Sequence, residues 1–299
     1  MARMHDDEVD TDVALVSRLL AAQFPAWAGL PIERVDSSGT DNAMYRLGDA
    51  LAVRLPRIHW AVAPLEREFA WLPRIAAALP FEVPVPIALG APGTGYPSPW
   101  TVCRWLDGVH PSAPALAEDT CGAAALAHDL ARFVIAMRSL DPAGAPTTAW
   151  PRPLHEEDEL VRANLAQLRD VLGPAHAPAT AVWEDAIAAP GFDGPRVWIH
   201  GDLAPGNLLL RGGALTGVLD FSAMGLGDPA SELRVAWNLL PPAARGVFRT
   251  EVAADDGTWA RARGWALLQA LAQLPYYADR NPPLAASARH VVAELVAER

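Results

Sequence analysis

His200, Asp202 and Asn207 fall within eight residues in the stretch VWIHGDLAPGNLLL (197–210), between two apolar runs. A loop that only had to turn could do so with Gly, Pro or Ser. This one carries an imidazole, a carboxylate and an amide. Asp202 and Asn207 are separated by four residues, the D-x-x-x-x-N spacing of phosphoryl-transfer catalytic loops. Thirteen residues after Asn207 comes Asp220, in GVLDFS, at the end of an apolar strand. Phosphoryl transfer from a nucleotide needs one carboxylate to accept the proton of the attacking hydroxyl. It needs a second carboxylate, with an amide oxygen, to hold Mg²⁺ against the phosphates. Asp202, Asp220 and Asn207 supply that set. Singly, an Asp before a strand is ordinarily a cap or turn, and an Asn after Pro-Gly an Asx-turn. The joint pattern is what points to chemistry.

The elements that must position these groups are legible as a β-rich first part and a helical second part. Residues 12–24 have apolar positions at helical spacing, with Thr11 as the expected cap. Strands are expected at 32–36, 43–47 and 51–55, with Gly48-Asp49 as the turn between the last two. A helix over 64–79, bent at Pro73, and strands at 83–90 and 100–106 complete this part. Beyond Trp105, helices are expected over 118–140, 156–172 and 178–189, then short strands at 196–199, 207–211 and 215–221. From Pro229 onward the pattern is helical, broken by prolines. The fold class is therefore α+β, with a boundary between 1–104 and 105–299.

Composition removes several alternatives. All 24 basic residues are arginine, so a Walker A lysine and a Schiff-base lysine are both excluded. The net charge of −11 argues against a nucleic-acid partner. Arginines and acids number 9 and 12 up to Arg104, net −3, and 15 and 23 beyond it, net −8. The acidity of the second part would suit a cationic small molecule. No run approaches the roughly 18 uninterrupted apolar residues of a membrane span. The acidic start MARMHDDEVDTDV is unlike a signal peptide, so a cytoplasmic protein with no membrane partner is expected. Cys103 and Cys121 sit in apolar contexts and are expected to be packed thiols. There is no G-x-G-x-x-G, no G-x-S-x-G, and HEEDEL (155–160) lacks the second histidine of H-E-x-x-H.

The segment HGDLAPGNLLL…TGVLDFSAMGLGDPASEL resembles the aminoglycoside phosphotransferase family, small-molecule kinases with a bilobal, protein-kinase-like fold. The resemblance extends from SSGTDNAMYRLGD (37–49) to the C-terminal helices. It implies Asp202 as catalytic base, Asn207 and Asp220 as Mg²⁺ ligands, and His200 as support for the loop. Asp228, in GDPASEL, would cap the following helix and brace the loop. Ser222 stands where a protein kinase has the glycine of D-F-G.

The family places a phosphate-binding cation, usually lysine, on the third strand; here LAVRLP offers Arg54. Arginine keeps the charge and can grip phosphate through its fork, although its geometry differs. Glu68, fourteen residues on, would hold Arg54, with Glu66 as the competing carboxylate. Ser37–Asn42 resembles the loop over the phosphates, with Ser38 and Gly39 at its centre. The backbone at Arg104 and Leu106 would read the purine edge, from a nucleotide seated between the lobes. ATP and GTP both remain possible donors.

The expected reaction is transfer of the γ-phosphoryl group of ATP or GTP to a hydroxyl of a small molecule, an aminoglycoside first. Seven of the eleven tryptophans lie from Trp105 onward and could wall a macrolide pocket instead. A sugar or amino-alcohol kinase shares the same scaffold. A non-catalytic nucleotide binder would need a lost base or metal ligand, and none is lost. A protein kinase would need a longer segment between Asp220 and Asp228.

Overall fold

The computed structural model describes residues 8–35, 41–147, 153–278 and 280–298. Two compact units divide the chain: Met1–Gly108 with Gly217–Ser222, and Val109–Thr216 with Ala223–Arg299. The first therefore runs past residue 104 and includes the short segment that carries Asp220.

In the first unit, α1 (Val13–Gln23) is capped by Asp12, whose carboxylate accepts from Leu15 N at 2.6 Å. Thr11, the expected cap, instead accepts the Tyr45 hydroxyl at 3.0 Å. The strands β1 (Ile32–Val35), β2 (Asn42–Leu47) and β3 (Leu51–Pro56) form an antiparallel meander. Gly48 makes the β2–β3 turn at φ +58°, where a side chain would be strained. Helix α2 (Val62–Ile75) runs through Pro73 and tightens into a 3₁₀ turn at Ala76–Ala78. The strands β4 (Pro86–Gly90) and β5 (Trp100–Arg104) complete an antiparallel sheet in the order β1-β2-β3-β5-β4. β4 starts later than expected because proline is poorly tolerated inside a ladder, and it sits at the edge with a register shift between Pro86 and Ala88.

Alternation on β2 buries Ala43, Tyr45 and Leu47 against Leu15, Leu19 and Leu20 of α1. β3 departs from alternation: every residue from Ala52 to Pro56 is buried, Arg54 included. A charge is buried this way only with partners.

The second unit opens with α3 (Ala113–Glu118) and α4 (Thr120–Arg138), where one helix over 118–140 was expected. Asp119 breaks the run, at φ −115° and ψ 84°, because its carboxylate caps α4 by accepting from Gly122 N at 2.9 Å. Next come α5 (Asp158–Gln167), α6 (Arg169–Leu172) and α7 (His176–Ala188). β6 (Val197–Ile199) is followed by the hairpin β7 (Leu208–Arg211) and β8 (Ala214–Val218), turned at Gly212 and Gly213. β9 (Gly225–Gly227) pairs antiparallel with β6. The helices α8 (Val235–Asn238), α9 (Pro242–Glu251), α10 (Asp256–Tyr277) and α11 (Pro282–Ala297) follow.

Helix α10 packs against α7, α11 and the 3₁₀ turn Pro229–Arg234. Among the described residues, α4 alone is long and apolar enough to cross a membrane, and its apolar face is packed against α9 and β6. Trp183, Trp198, Trp237 and Trp265 are fully buried, and Trp259 nearly so. These tryptophans are core. Cys103 is buried as expected, but Cys121 is exposed on the first turn of α4.

Candidate active site

Strand β6 ends at Ile199 and delivers His200, which has no exposed surface. The His200 N–H donates to the Glu232 carboxylate, and Gly201 N donates to Glu232 Oε1 at 3.3 Å. His200 Nδ1 accepts from Asp202 N at 3.2 Å. Gly201 sits at φ +83°, and a Cβ there would lie 2.6 Å from the Ala223 carbonyl oxygen. Only glycine fits this bend.

Asp202, half-buried, emerges from the bend with both carboxylate oxygens engaged by amide N–H groups. Asn207 Nδ2 donates to Asp202 Oδ2 at 3.1 Å and to its backbone carbonyl at 2.8 Å. Gln269 Nε2 donates to Oδ1 at 3.4 Å. Asn238 Nδ2 reaches the Leu203 carbonyl at 3.1 Å and secures the loop beyond. Beneath the loop, Arg234 Nη2 donates to the Gly201 carbonyl and Nε to that of Ser231 at 2.9 Å. Burial pulls Arg234 below the ordinary arginine range, with Asp202 and Glu232 opposing it. Burial likewise pushes Glu232 up, against His200, two backbone N–H bonds and Arg234.

The first unit holds a second cluster. Arg54 Nη1 donates to both oxygens of Glu68, at 2.8 and 2.7 Å. The helix carboxylate that meets Arg54 is thus Glu68, not Glu66. Nη2 reaches Asp220 Oδ1 at 3.4 Å. The Asn42 amide, with its oxygen toward the guanidinium, accepts from Nε at 3.3 Å and Nη2 at 3.0 Å. Burial alone would lower Arg54, but the carboxylates of Glu68 and Asp220 outweigh it and hold the group above its ordinary value. Glu68 is pushed up by burial, to about 7, with Arg54 pulling the other way.

Asp220 follows β8, whose Val218 N–H is held by the Glu82 carbonyl at 2.9 Å. It adopts φ +57°, a left-handed conformation uncommon for a residue with a side chain. Its Oδ1 also accepts from Ser222 N at 3.2 Å. Backbone in this region persists only where the surroundings hold it, and here Asp220 is bonded on Oδ1 by Ser222 N and Arg54.

The donor set fits a hard divalent cation. With Asn207 Nδ2 committed to Asp202, its Oδ1 has no hydrogen-bond partner among the described residues; a neutral amide oxygen and, in the other unit, the carboxylate of Asp220 are both oxygen groups of the kind such a cation takes.

The other expected site residues are placed as follows. Asp228 caps the 3₁₀ turn, accepting from Ala230 N at 2.9 Å, and pairs with Arg261 at 2.9 Å. Direct bracing of the catalytic loop from this segment comes from Glu232 and Arg234. Arg104 N is taken by the Val85 carbonyl at 3.2 Å, whereas the Leu106 backbone makes no hydrogen bond among the described residues. Between them, Trp105 is fixed by Asp107 at 2.7 Å and by the Arg46 guanidinium 5.0 Å from its ring. Ser38 and Gly39 lie outside the described residues. Glu232, Arg234 and Gln269 were not anticipated, and Asn42 was expected only as the end of the phosphate-loop stretch. Only Glu232 and Arg234 left a signal, as charges following a proline-started turn.

A family model described as the phosphotransferase enzyme family matches residues 33–265. The chain belongs to this family of phosphotransferase enzymes. A variant of aminoglycoside 2'-phosphotransferase IIIa bound to GDP superposes with a TM-score of 0.76 at 17% identity, over 96% of this chain and 98% of that one. A GDP and kanamycin complex of an APH(2")-III enzyme gives 0.73 at 18%, over 95% and 99%. The apoenzyme of macrolide 2'-phosphotransferase MphH from Brachybacterium faecium gives 0.60 at 22%, over 95% and 97%. These likenesses establish the protein-kinase-like fold. No curated protein matches the chain.

Proposed function

We propose that this phosphotransferase moves the γ-phosphoryl group of ATP or GTP onto a hydroxyl of a small, cationic, antibiotic-like acceptor, an aminoglycoside first. The observation that carries the reading is Asp202, a half-buried carboxylate held on both oxygens by amide donors. Held this way, it can take the acceptor's proton without having to find its orientation first. Asn207 and Asp220 would hold Mg²⁺, which when bound neutralises the charge on the β- and γ-phosphates. Arg54 serves the nucleotide end. Its Nη2 is already engaged by Asn42 at 3.0 Å and Asp220 at 3.4 Å, so a phosphate would take over the longer of these two contacts. The Leu106 backbone, without a hydrogen bond among the described residues, would offer the purine a donor and an acceptor.

The acceptor class is favoured by charge and by where the aromatics lie. The part of the chain beyond Arg104 carries 15 arginines against 23 acids, net −8, which would draw in a polycation. Five of its tryptophans are spent on the core rather than on a wall for a bulky apolar ligand.

Turnover of Mg–ATP and Mg–GTP should be measured separately against kanamycin, gentamicin, streptomycin, hygromycin B, erythromycin, simple sugars and amino alcohols. Phosphorylation of at least one aminoglycoside is expected. Turnover confined to sugars or amino alcohols would make this a metabolic kinase, and turnover confined to erythromycin a macrolide enzyme. Nucleotide binding without turnover of any acceptor would remove the catalytic reading.

A further inference from the structure

Gln269 is a polar side chain in one of the most buried runs of the chain. Its sequence neighbours on α10, Leu267, Leu268, Ala270 and Leu271, are buried, and Gln269 itself is half-buried. An amide in such surroundings is costly unless both its ends are bonded. Both are. Arg234 Nη1 donates to Gln269 Oε1 at 2.8 Å, and Gln269 Nε2 donates to Asp202 Oδ1 at 3.4 Å, across 67 residues of chain. Because the guanidinium can only donate, it fixes which end of the amide faces it. The N–H end must therefore point at Asp202. The same Arg234, 5% exposed, also holds the Gly201 and Ser231 carbonyls, so one buried cation ties α10 to the backbone that carries Asp202.

We propose that Gln269 is a positioning residue for the transfer reaction. It fixes the rotamer of Asp202 by holding Oδ1 while Asn207 holds Oδ2, so that the carboxylate meets the acceptor hydroxyl in one orientation. This rests on the reading of Asp202 as catalytic base. Neither the loop spacing nor the family motif includes Gln269.

The decisive variants are Gln269→Leu and Gln269→Glu. Glutamate restores a partner for Arg234 but brings no N–H for Asp202 and sets a second carboxylate against it. Both variants should lose about tenfold in kcat, the low end for one bond to a charged group, because 3.4 Å is long. KM for nucleotide and acceptor should stay within about twofold, since no ground-state contact is removed. In an Asp202→Asn background, Gln269→Leu should cost nothing further, because it acts through a group already disabled. A crystal structure of Gln269→Leu should show the Asp202 carboxylate turned from its Asn207 bond, whichever acceptor is used.

A Gln269→Glu enzyme with wild-type kcat would reduce Gln269 to a support for Arg234 and overturn the proposal. So would a full additional loss in the Asp202→Asn background, or an unmoved Asp202 in the Gln269→Leu crystal. Full turnover by Asp202→Asn alone would instead overturn the base assignment, and this inference with it.

Discussion

Arg54 can be tested by counting its donors. A guanidinium has five N–H groups. Nη1 meets both Glu68 oxygens at 2.8 and 2.7 Å, Nη2 meets Asp220 at 3.4 Å and Asn42 at 3.0 Å, and Nε meets Asn42 at 3.3 Å. Arg54→Lys keeps the charge but offers three donors from one point, on a chain one atom shorter. It can hold Glu68 and must release the Asn42 and Asp220 side. Loss of one bond to a charged group is worth about 1.5–3 kcal/mol, roughly ten- to hundredfold. Nucleotide KM should rise and kcat should fall together, because the cation serves ground and transition states alike.

Arg54→Ala asks a different question. It strands Glu68, only 6% exposed, without a counter-charge. Breaking a buried pair this way costs about 3–5 kcal/mol, a fall in Tm on the order of 10 °C at 2–4 °C per kcal/mol. Burial already pushes Glu68 up to about 7, and removing Arg54 removes the main influence pulling it down. A folded-state value above the unfolded one means the native state holds the proton longer. The stability this contributes is full below about pH 4.3 and is lost as pH rises through the folded value. The melting deficit of Arg54→Ala against wild type should therefore widen from pH 5 to pH 8, and Glu68→Gln added to it should narrow the gap at pH 8. Equal deficits at both pH values in thermal melts would refute the claim that the Glu68 charge is what Arg54 compensates.

Three further outcomes follow from the site. Asp202→Asn should leave the nucleotide Kd near wild type by calorimetry while lowering kcat on the order of 10²–10⁴-fold, the range of general-base contributions; near-normal turnover would remove Asp202 from that role. In Asp220→Ala, Mg²⁺ should no longer strengthen nucleotide binding, and in Asn207→Ala it should do so less than in wild type; crystals with the metal on other residues would contradict both assignments. Gly201→Ala forces a Cβ to 2.6 Å from a backbone oxygen at φ +83°, so Tm and kcat should drop together, and an unaffected enzyme would mean the bend is not needed.

The residues proposed to do the chemistry are legible because they lie near one another in the chain. Asp202, Asn207 and Asp220 fall within nineteen residues, and their types at that spacing have few structural explanations. The Arg54–Glu68 pairing is legible in the same way, as a strand and the next helix fourteen residues apart. Their supports are not. Glu232 and Arg234 act across 31 to 33 residues and Gln269 across 67, and no local pattern encodes those separations. Local misreadings have local causes. Thr11 and Asp12 are both competent caps, and the choice fell to Asp12 because Tyr45 occupies the Thr11 hydroxyl. Cys121 sits in an apolar stretch, but its helix turns that position outward.

The two clusters share a physical logic. Asp220 keeps 39% of its side chain exposed and Asp202 is half-buried, which leaves both carboxylates open to the ligands proposed for them. Packing therefore cannot set their directions. That task falls to charges and amides one layer behind: Arg54 with Glu68 and Asn42 for Asp220, and Arg234 with Glu232 and Gln269 for Asp202. Each buried cation carries a desolvation cost, offset by carboxylates placed against it. A lysine in either place would supply a point charge and leave its partners free to rotate about it. Arginine's planar fork binds several groups at set angles, so Arg54 holds two carboxylates and an amide, and Arg234 an amide and two backbone carbonyls. A chain whose 24 basic residues are all arginine has no lysine for that place but gains direction at the two carboxylates proposed to carry the chemistry.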